Sequence, residues 1–220
     1  MENKEFFRSY LEQLSPEHSA EIMLQFERYL ELLQEINASI NLISRKMPPE
    51  AYWTQHFLDS LRPLECLDIK GLRLLDFGSG GGLPGIPLKL VEPDLQIDLL
   101  DSTAKKVKAL QQMVQVLGLN GVDCLTHRLE DYANLKAAPQ YDVIVCRAVA
   151  IEERYLQPLW KLLKPGGFLL LYKSHNLEDI KDLNHELLLE HDEPELGLRR
   201  IIRIKRGALK APAPQQAKKS

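Results

Sequence analysis

Residues Leu74–Leu88, LLDFGSGGGLPGIPL, constrain this chain more than any other stretch. An apolar run with one acid meets a tract of small residues, and Pro-Gly-Ile-Pro then leads back into apolar sequence. This order predicts a strand that breaks into a glycine turn and restarts as a helix, a common way to hold a nucleotide. Such a unit needs further strands and helices to bury it, so the remaining sequence should alternate between the two.

It does so from Leu72 onward. Leu72–Phe77, Gln96–Leu100, Val122–Leu125, Tyr141–Cys146 and Gly167–Tyr172 read as strands, and Leu198–Arg206 is β-branched enough for a last one. Pro84–Val91, Ser102–Leu117 and Glu152–Leu163 read as helices between them, with Ser102 as an N-cap and Val107, Leu110, Val114 and Leu117 as a buried stripe. Lys164-Pro165-Gly166-Gly167 reads as a tight turn. Upstream, residues 2–37 read as helical, with Ser15-Pro16 as N-cap and first-turn proline ahead of an apolar stripe from Ile22 to Ile36. Asn41–Arg45 reads as loop and Pro48–Leu61 as a further helix. The expected architecture is α/β: a mostly parallel, doubly wound, Rossmann-like sheet with an N-terminal helical appendage. Its regions are 1–65 (helical), 66–206 (the sheet domain) and 207–220, a disordered basic tail.

At 220 residues the chain can bury one α/β core with a small appendage. No apolar run is long enough to span a bilayer and the charged N-terminus lacks a signal-peptide core, so a cytoplasmic protein is expected. Cys66, Cys124 and Cys146 are odd in number and far apart, which predicts reduced thiols and no metal site. The net charge of −3 conceals an asymmetry: residues 199–220 carry eight basic and no acidic side chains. That end is either a contact for a polyanion or a solvated tail.

Gly80, Gly82 and Gly85 match the G-x-G-x-x-G pattern, but the pattern alone is weak. Asp76, at the strand end, would repel a pyrophosphate, and the tract lacks the lysine of a P-loop. The same carboxylate suits a ligand bearing an ammonium and a sulfonium. Asp76-x-Gly78-x-Gly80-x-Gly82 is the acidic glycine turn of Rossmann-like methyltransferases, and Gly78 and Gly80 would let the backbone approach S-adenosylmethionine (SAM). Asp101 ends the second strand 25 residues after Asp76, where a carboxylate accepts ribose hydroxyls. Leu129-Glu130-Asp131 follow the third strand, where the adenine would lie. Each acid alone could be a helix cap; their order together points to SAM, so the sheet is expected to be of the class I SAM-dependent methyltransferase type, with residues 66–206 as the SAM-binding domain.

The fourth strand ends in Arg147-Ala148-Val149-Ala150, with no acid, Tyr or His to take a proton. A nucleophile with a free lone pair, such as a ring nitrogen, needs none. Arg147 then orients an electron-rich substrate or the SAM carboxylate, or pairs with a neighbouring acid.

LLDFGSGGGLPGIPL, LLDSTAKKVKALQQ, HRLEDY and VIVCRAVA, in this order, resemble the RsmG (GidB) family. The likeness extends to the run His56–Leu61, to Tyr172-Lys173 and to Arg199–Lys205, roughly residues 30–206 in all. It implies a bacterial 16S ribosomal RNA methyltransferase acting on guanine N7 in the 530 loop, whose partner is 16S rRNA or the small ribosomal subunit. Nothing in the sequence suggests an obligate partner, so a monomer is expected, with no DNA or membrane partner. The likeness places SAM contacts on Gly78, Leu83 (an apolar wall), Leu129, Glu130 and Arg147. Asn41-Leu42-Ile43 and Ser174 depart from the family pattern at the pocket rim. Guanine N7 is an exposed acceptor, so catalysis would come from orientation, with Arg147 on O6, a phosphate or SAM. Lys105, Lys106, Lys173, Arg199 and Arg203 are the candidates for the RNA backbone. The alternatives are a methyltransferase of a small molecule and an inactive binding module.

Overall fold

A computed structural model describes residues 3–193 and 196–207. Five strands run parallel in the order β3-β2-β1-β4-β5, and two antiparallel strands extend the sheet beyond β5 as β7 and then β6. They are β1 (Arg73–Phe77), β2 (Gln96–Asp101), β3 (Val122–Thr126), β4 (Tyr141–Arg147), β5 (Leu163–Lys173), β6 (Glu186–Glu193) and β7 (Gly197–Lys205). The chain leaves β1 in one direction and returns to β4 on its other side. The crevice at this reversal, at the carboxyl ends of the strands, is where open α/β sheets bind ligands.

The helices are α1 (Asn3–Leu14), α2 (Ser19–Ser39), α3 (Asp59–Leu61), α4 (Gly85–Val91), α5 (Ala104–Val116), α6 (Leu129–Ala133) and α7 (Glu153–Leu162). One face of the sheet and the N-terminal helices share a continuous core, from Phe7 and Leu11 through Phe26, Leu33 and Phe57 to Leu74, Ile97 and Ile201. The α1–α2 pair is therefore built onto the sheet. Aromatic edges fix it: Phe7 meets Phe26 at 4.8 Å, and Phe57 lies 5.1 Å from Phe26 and 5.3 Å from Tyr29. The other face packs α6 and α7 through Tyr132, Leu159 and Leu162 against Ile144, Leu169 and Ile202.

Several expectations need correction. Ser15 does not cap α2; the chain turns through Pro16 and the helix begins at Ser19. Ser102 does not cap α5, because Asp101 Oδ1 takes the Thr103 amide at 2.8 Å and the helix starts at Ala104. Lys164–Gly167 is a bulge inside β5, with Leu163 already paired to Tyr141 and Gly166 at φ +83°. Residues 49–65 are helical but irregular: a 3₁₀ turn (Pro49–Ala51), a π-helix (Trp53–Leu58), α3 and a second 3₁₀ turn (Arg62–Glu65). Strand β6 was not anticipated: it is a largely exposed edge with a register shift between Leu187 and Leu189. The expected disordered tail falls on residues 208–220, outside the described residues.

Candidate active site

The glycine loop is held from two sides. The amides of Gly78 and Ser79 donate to Leu100 O on β2 at 2.9 and 3.1 Å, and Tyr29 Oη on α2 donates to Gly81 O at 2.7 Å. Glycine is needed at 78 because φ is +79° and a Cβ would lie 2.6 Å from Val149 Cγ2. At 85 a Cβ would lie 2.5 Å from Leu99 and 2.7 Å from Asp76 Oδ2, so glycine lets α4 sit directly on the sheet.

Beside this loop opens a cleft of about 530 Å³, a size usual for small-molecule sites. Phe77, Gly78 and Gly80 form its floor, Asp101 and Lys106 one wall, Leu129 and Glu130 another, and Arg147–Val149 the β4 side. Asp101 Oδ2 accepts from the Gly80 amide at 3.2 Å, so the glycine loop and the strand-end carboxylate are fixed to each other. Phe77 and Tyr155 meet edge to face at 5.1 Å, and Arg154 stacks over Tyr155 at 4.6 Å on the outer rim. The donor set fits SAM: a cradle with no Cβ at Gly78, a carboxylate for vicinal hydroxyls and apolar surface for a heterocycle.

Arg147 comes from the end of β4, yet its guanidinium is held by the N-terminal region. Nη1 donates to His56 O (3.2 Å), Asp59 Oδ2 (3.1 Å) and Ser60 Oγ (3.4 Å), and Nη2 faces His56 Nδ1 at 3.4 Å. The π-helix over Trp53–Leu58 contributes the His56 carbonyl; such wide turns recur at functional sites. Burial, with the Arg147 charge alongside, pushes the His56 imidazole down to about 4, so it is neutral at physiological pH.

The structure brings Gly78, Gly80, Asp101, Leu129, Glu130 and Arg147 together around the cleft, as the sequence predicts. Asp76 is not there. It is fully buried behind the loop, its Oδ2 accepting the Gly85 amide at 2.9 Å and its Oδ1 without a partner. It anchors the start of α4, and burial raises its pKa to about 7. Leu83 is also a correction: it packs into the core under the loop and does not line the cleft.

The cations divide in the same way. Lys105 is exposed and Lys106 lies 3.8 Å from Asp101 at the cleft wall. Lys173 is nearly buried in a salt bridge to Asp179, Arg199 Nε forms an ion pair with Asp59 Oδ1 at 3.3 Å, and Arg203 is paired to Glu186 at 2.7 Å. These three are ion-pair members within the fold, not free cations, because the loop after β5, the helical segment at α3 and β6 bring an acid to each in turn. Sequence reasoning missed Arg128, exposed on the rim after β3, together with Arg154 and Tyr155. It noticed the His56–Leu61 run without giving His56, Asp59 or Ser60 a role; alternating polar residues on a helix carried no sign of a partner 88 residues away.

The family described as rRNA small subunit methyltransferase G matches residues 22–196. The chain is 40% identical over 159 residues to the ribosomal RNA small subunit methyltransferase G of Oenococcus oeni, covering 71% of this chain and 65% of that protein. It is 39% identical over 204 residues to the protein of the same name from Streptococcus pneumoniae serotype 19F, covering 90% of this chain and 84% of that one. The chain thus spans just under two thirds of the first relative and most of the second. Among solved structures, a SAM-dependent methyltransferase from Aquifex aeolicus superposes with a TM-score of 0.54 at 16% identity over 78% of this chain and 98% of that one. A point mutant of MtNAS in complex with S-adenosylmethionine gives 0.58 at 15% identity, over 86% of this chain and 78% of that one. These likenesses show the fold, a class I methyltransferase sheet.

Proposed function

This chain belongs to the rRNA small subunit methyltransferase G family, and on that premise we propose that it transfers the methyl group of SAM to N7 of a guanine in the 530 loop of 16S rRNA. The observation that carries this reading is the β4 end of the cleft. It presents Arg147, Ala148 and Val149, none of which can take a proton from a substrate near neutral pH. A reaction at an exocyclic amine or a hydroxyl must lose a proton; attack by a ring-nitrogen lone pair need not.

Gly78 and Gly80 would admit the methionine part of SAM, Asp101 would accept its ribose hydroxyls, and Leu129 and Glu130 would flank the adenine. When bound, SAM supplies an electrophilic methyl on sulfonium and leaves as a neutral thioether. The protein's contribution is placement: a cleft that seats the donor and a fixed arginine that orients the electron-rich base or the donor. Lys106 and Arg128 on the lining of the cleft, and the exposed Lys105 next to Lys106 on α5, would meet the RNA backbone. Lys105 and Arg128 are exposed with no acid in ion-pair distance among the described residues, which leaves their charge for phosphates.

The test is transfer of labelled methyl from SAM to naked 16S rRNA and to small subunits, with the modified base identified by mass spectrometry. Label at guanine N7 is expected. Label on an exocyclic amine or a ribose hydroxyl, or transfer to small metabolites alone, refutes the proposal.

A further inference from the structure

Asp59 lies outside the cleft, only 7% exposed, yet each of its carboxylate oxygens holds a different arginine. Oδ2 accepts a hydrogen bond from Arg147 Nη1 at 3.1 Å, and Oδ1 forms an ion pair with Arg199 Nε at 3.3 Å. Three elements therefore converge on one side chain: the helical segment that carries it, β4 with Arg147 and β7 with Arg199. The segment is itself fixed. Ser60 Oγ donates to His56 O at 2.6 Å, and Tyr172 Oη on β5 donates to Ser60 O at 2.8 Å.

Arginine has several rotatable bonds, and an unpaired guanidinium at the edge of an open cleft would sample many positions. A carboxylate held from behind by a second arginine stops this. Nη1 is then occupied by protein acceptors, while among the described residues Nε and the rest of Nη2 make no bond to an acid and stay available to a ligand. We propose that Asp59, braced by Arg199, is a positioning residue that sets the orientation of Arg147 for methyl transfer. The N-terminal helical region is thus part of the active site through charge and geometry, without touching substrate. This role rests on the cleft being the methyl-transfer site.

Asp59→Asn keeps the side-chain shape but offers one oxygen to two guanidinium groups. Turnover on small-subunit rRNA is expected to fall by more than tenfold, with the SAM dissociation constant and the KM for SAM within threefold of wild type. Added to Arg147→Lys, Asp59→Asn should cost almost nothing more, because the lysine no longer uses the clamp. By NMR, hydrogen exchange of the Arg147 guanidinium should be slow in the wild type and fast in Asp59→Asn. Thermal melts on the same samples report folding. Turnover within threefold of wild type, losses that multiply in the double variant, unchanged guanidinium exchange, or a turnover loss matched by an equal loss of SAM affinity would each overturn the assignment. An inactive wild type would refute the methyltransferase reading itself, and this role with it.

Discussion

Replacing Asp101 by Ala or Asn tests the cofactor assignment most directly, because the carboxylate has two tasks that can be measured apart. In the free protein it accepts the Gly80 amide at 3.2 Å and the Thr103 amide at 2.8 Å. Hydrogen bonds to a charged acceptor contribute about 1.5–3 kcal/mol each when fully desolvated. Water in the open cleft can replace part of both, so Asp101→Ala should cost the fold about 1–3 kcal/mol. In the complex the two ribose hydroxyls lose their acceptor as well, a further ~1–3 kcal/mol of affinity, which is about 5- to 150-fold in Kd. Asn retains one acceptor oxygen and should fall between Ala and wild type. Titration calorimetry with SAM, beside thermal melts of the same samples, separates the two effects. A SAM analogue lacking the 2′-hydroxyl should bind the wild type more weakly and lose much less against Asp101→Ala. If the Ala variant binds SAM within twofold of wild type, or the analogue discriminates equally in both, the ribose lies elsewhere and the assignment of the cleft fails.

Gly78→Ala forces a Cβ to 2.6 Å from Val149 at φ +79°; a destabilisation of about 1–3 kcal/mol and weakened SAM binding are expected, and a variant that melts and binds as wild type contradicts the geometry. Arg128→Ala and Lys105→Ala should each flatten the slope of log affinity for 16S rRNA against log salt by about 0.7–0.9, whereas Arg203→Ala, whose charge is spent on Glu186, should leave it unchanged; the reverse pattern in filter binding would return the RNA to β7. Asp76 has a folded pKa raised from 3.8 to about 7 by burial, so its favourable contribution is complete below about pH 4 and is lost as pH rises through 7. The stability of wild type relative to Asp76→Asn should therefore fall across that window, by about 1.4 kcal/mol per pH unit at most. The comparison removes the opposing titration of His56, whose stabilisation is present above about pH 6.5 and lost as pH falls through 4; a difference that is flat with pH would show Asp76 to be ionised throughout.

The parallel sheet was legible because its strands are buried on both faces and its turns need glycine. β1 reads as apolar sequence around one acid from Leu74 onward, and those four residues are all buried. Irregular pieces were not legible for the converse reason. β6, ELLLEHDE, is an edge whose exposed and half-buried residues do not alternate cleanly, so periodicity had nothing to detect. The π-helix at Trp53–Leu58 keeps an apolar stripe that serves an α-helix equally well; its register depends on Phe57 packing against Phe26 and Tyr29 from another helix.

In the site, backbone geometry was readable and charge partnership was not. Gly78, Gly80 and Asp101 are placed by a strand end and a turn, and both are local in sequence. Asp76 obeys the same spacing, yet the glycine at 85 lets α4 come so close that its amide claims the carboxylate and seals it from the cleft. Whether a carboxylate faces ligand or protein is thus decided by the next helix. The arginines extend the point. Arg199 and Arg203 look free in a segment with no acids of its own, but antiparallel pairing sets Glu186 directly opposite Arg203, and the helical segment brings Asp59 to Arg199. A basic run in a strand is therefore poor evidence for RNA unless its cross-strand neighbours are known. Arg128 offered a weaker signal in sequence, a single cation in a loop, and it is exposed with no acid in ion-pair distance among the described residues.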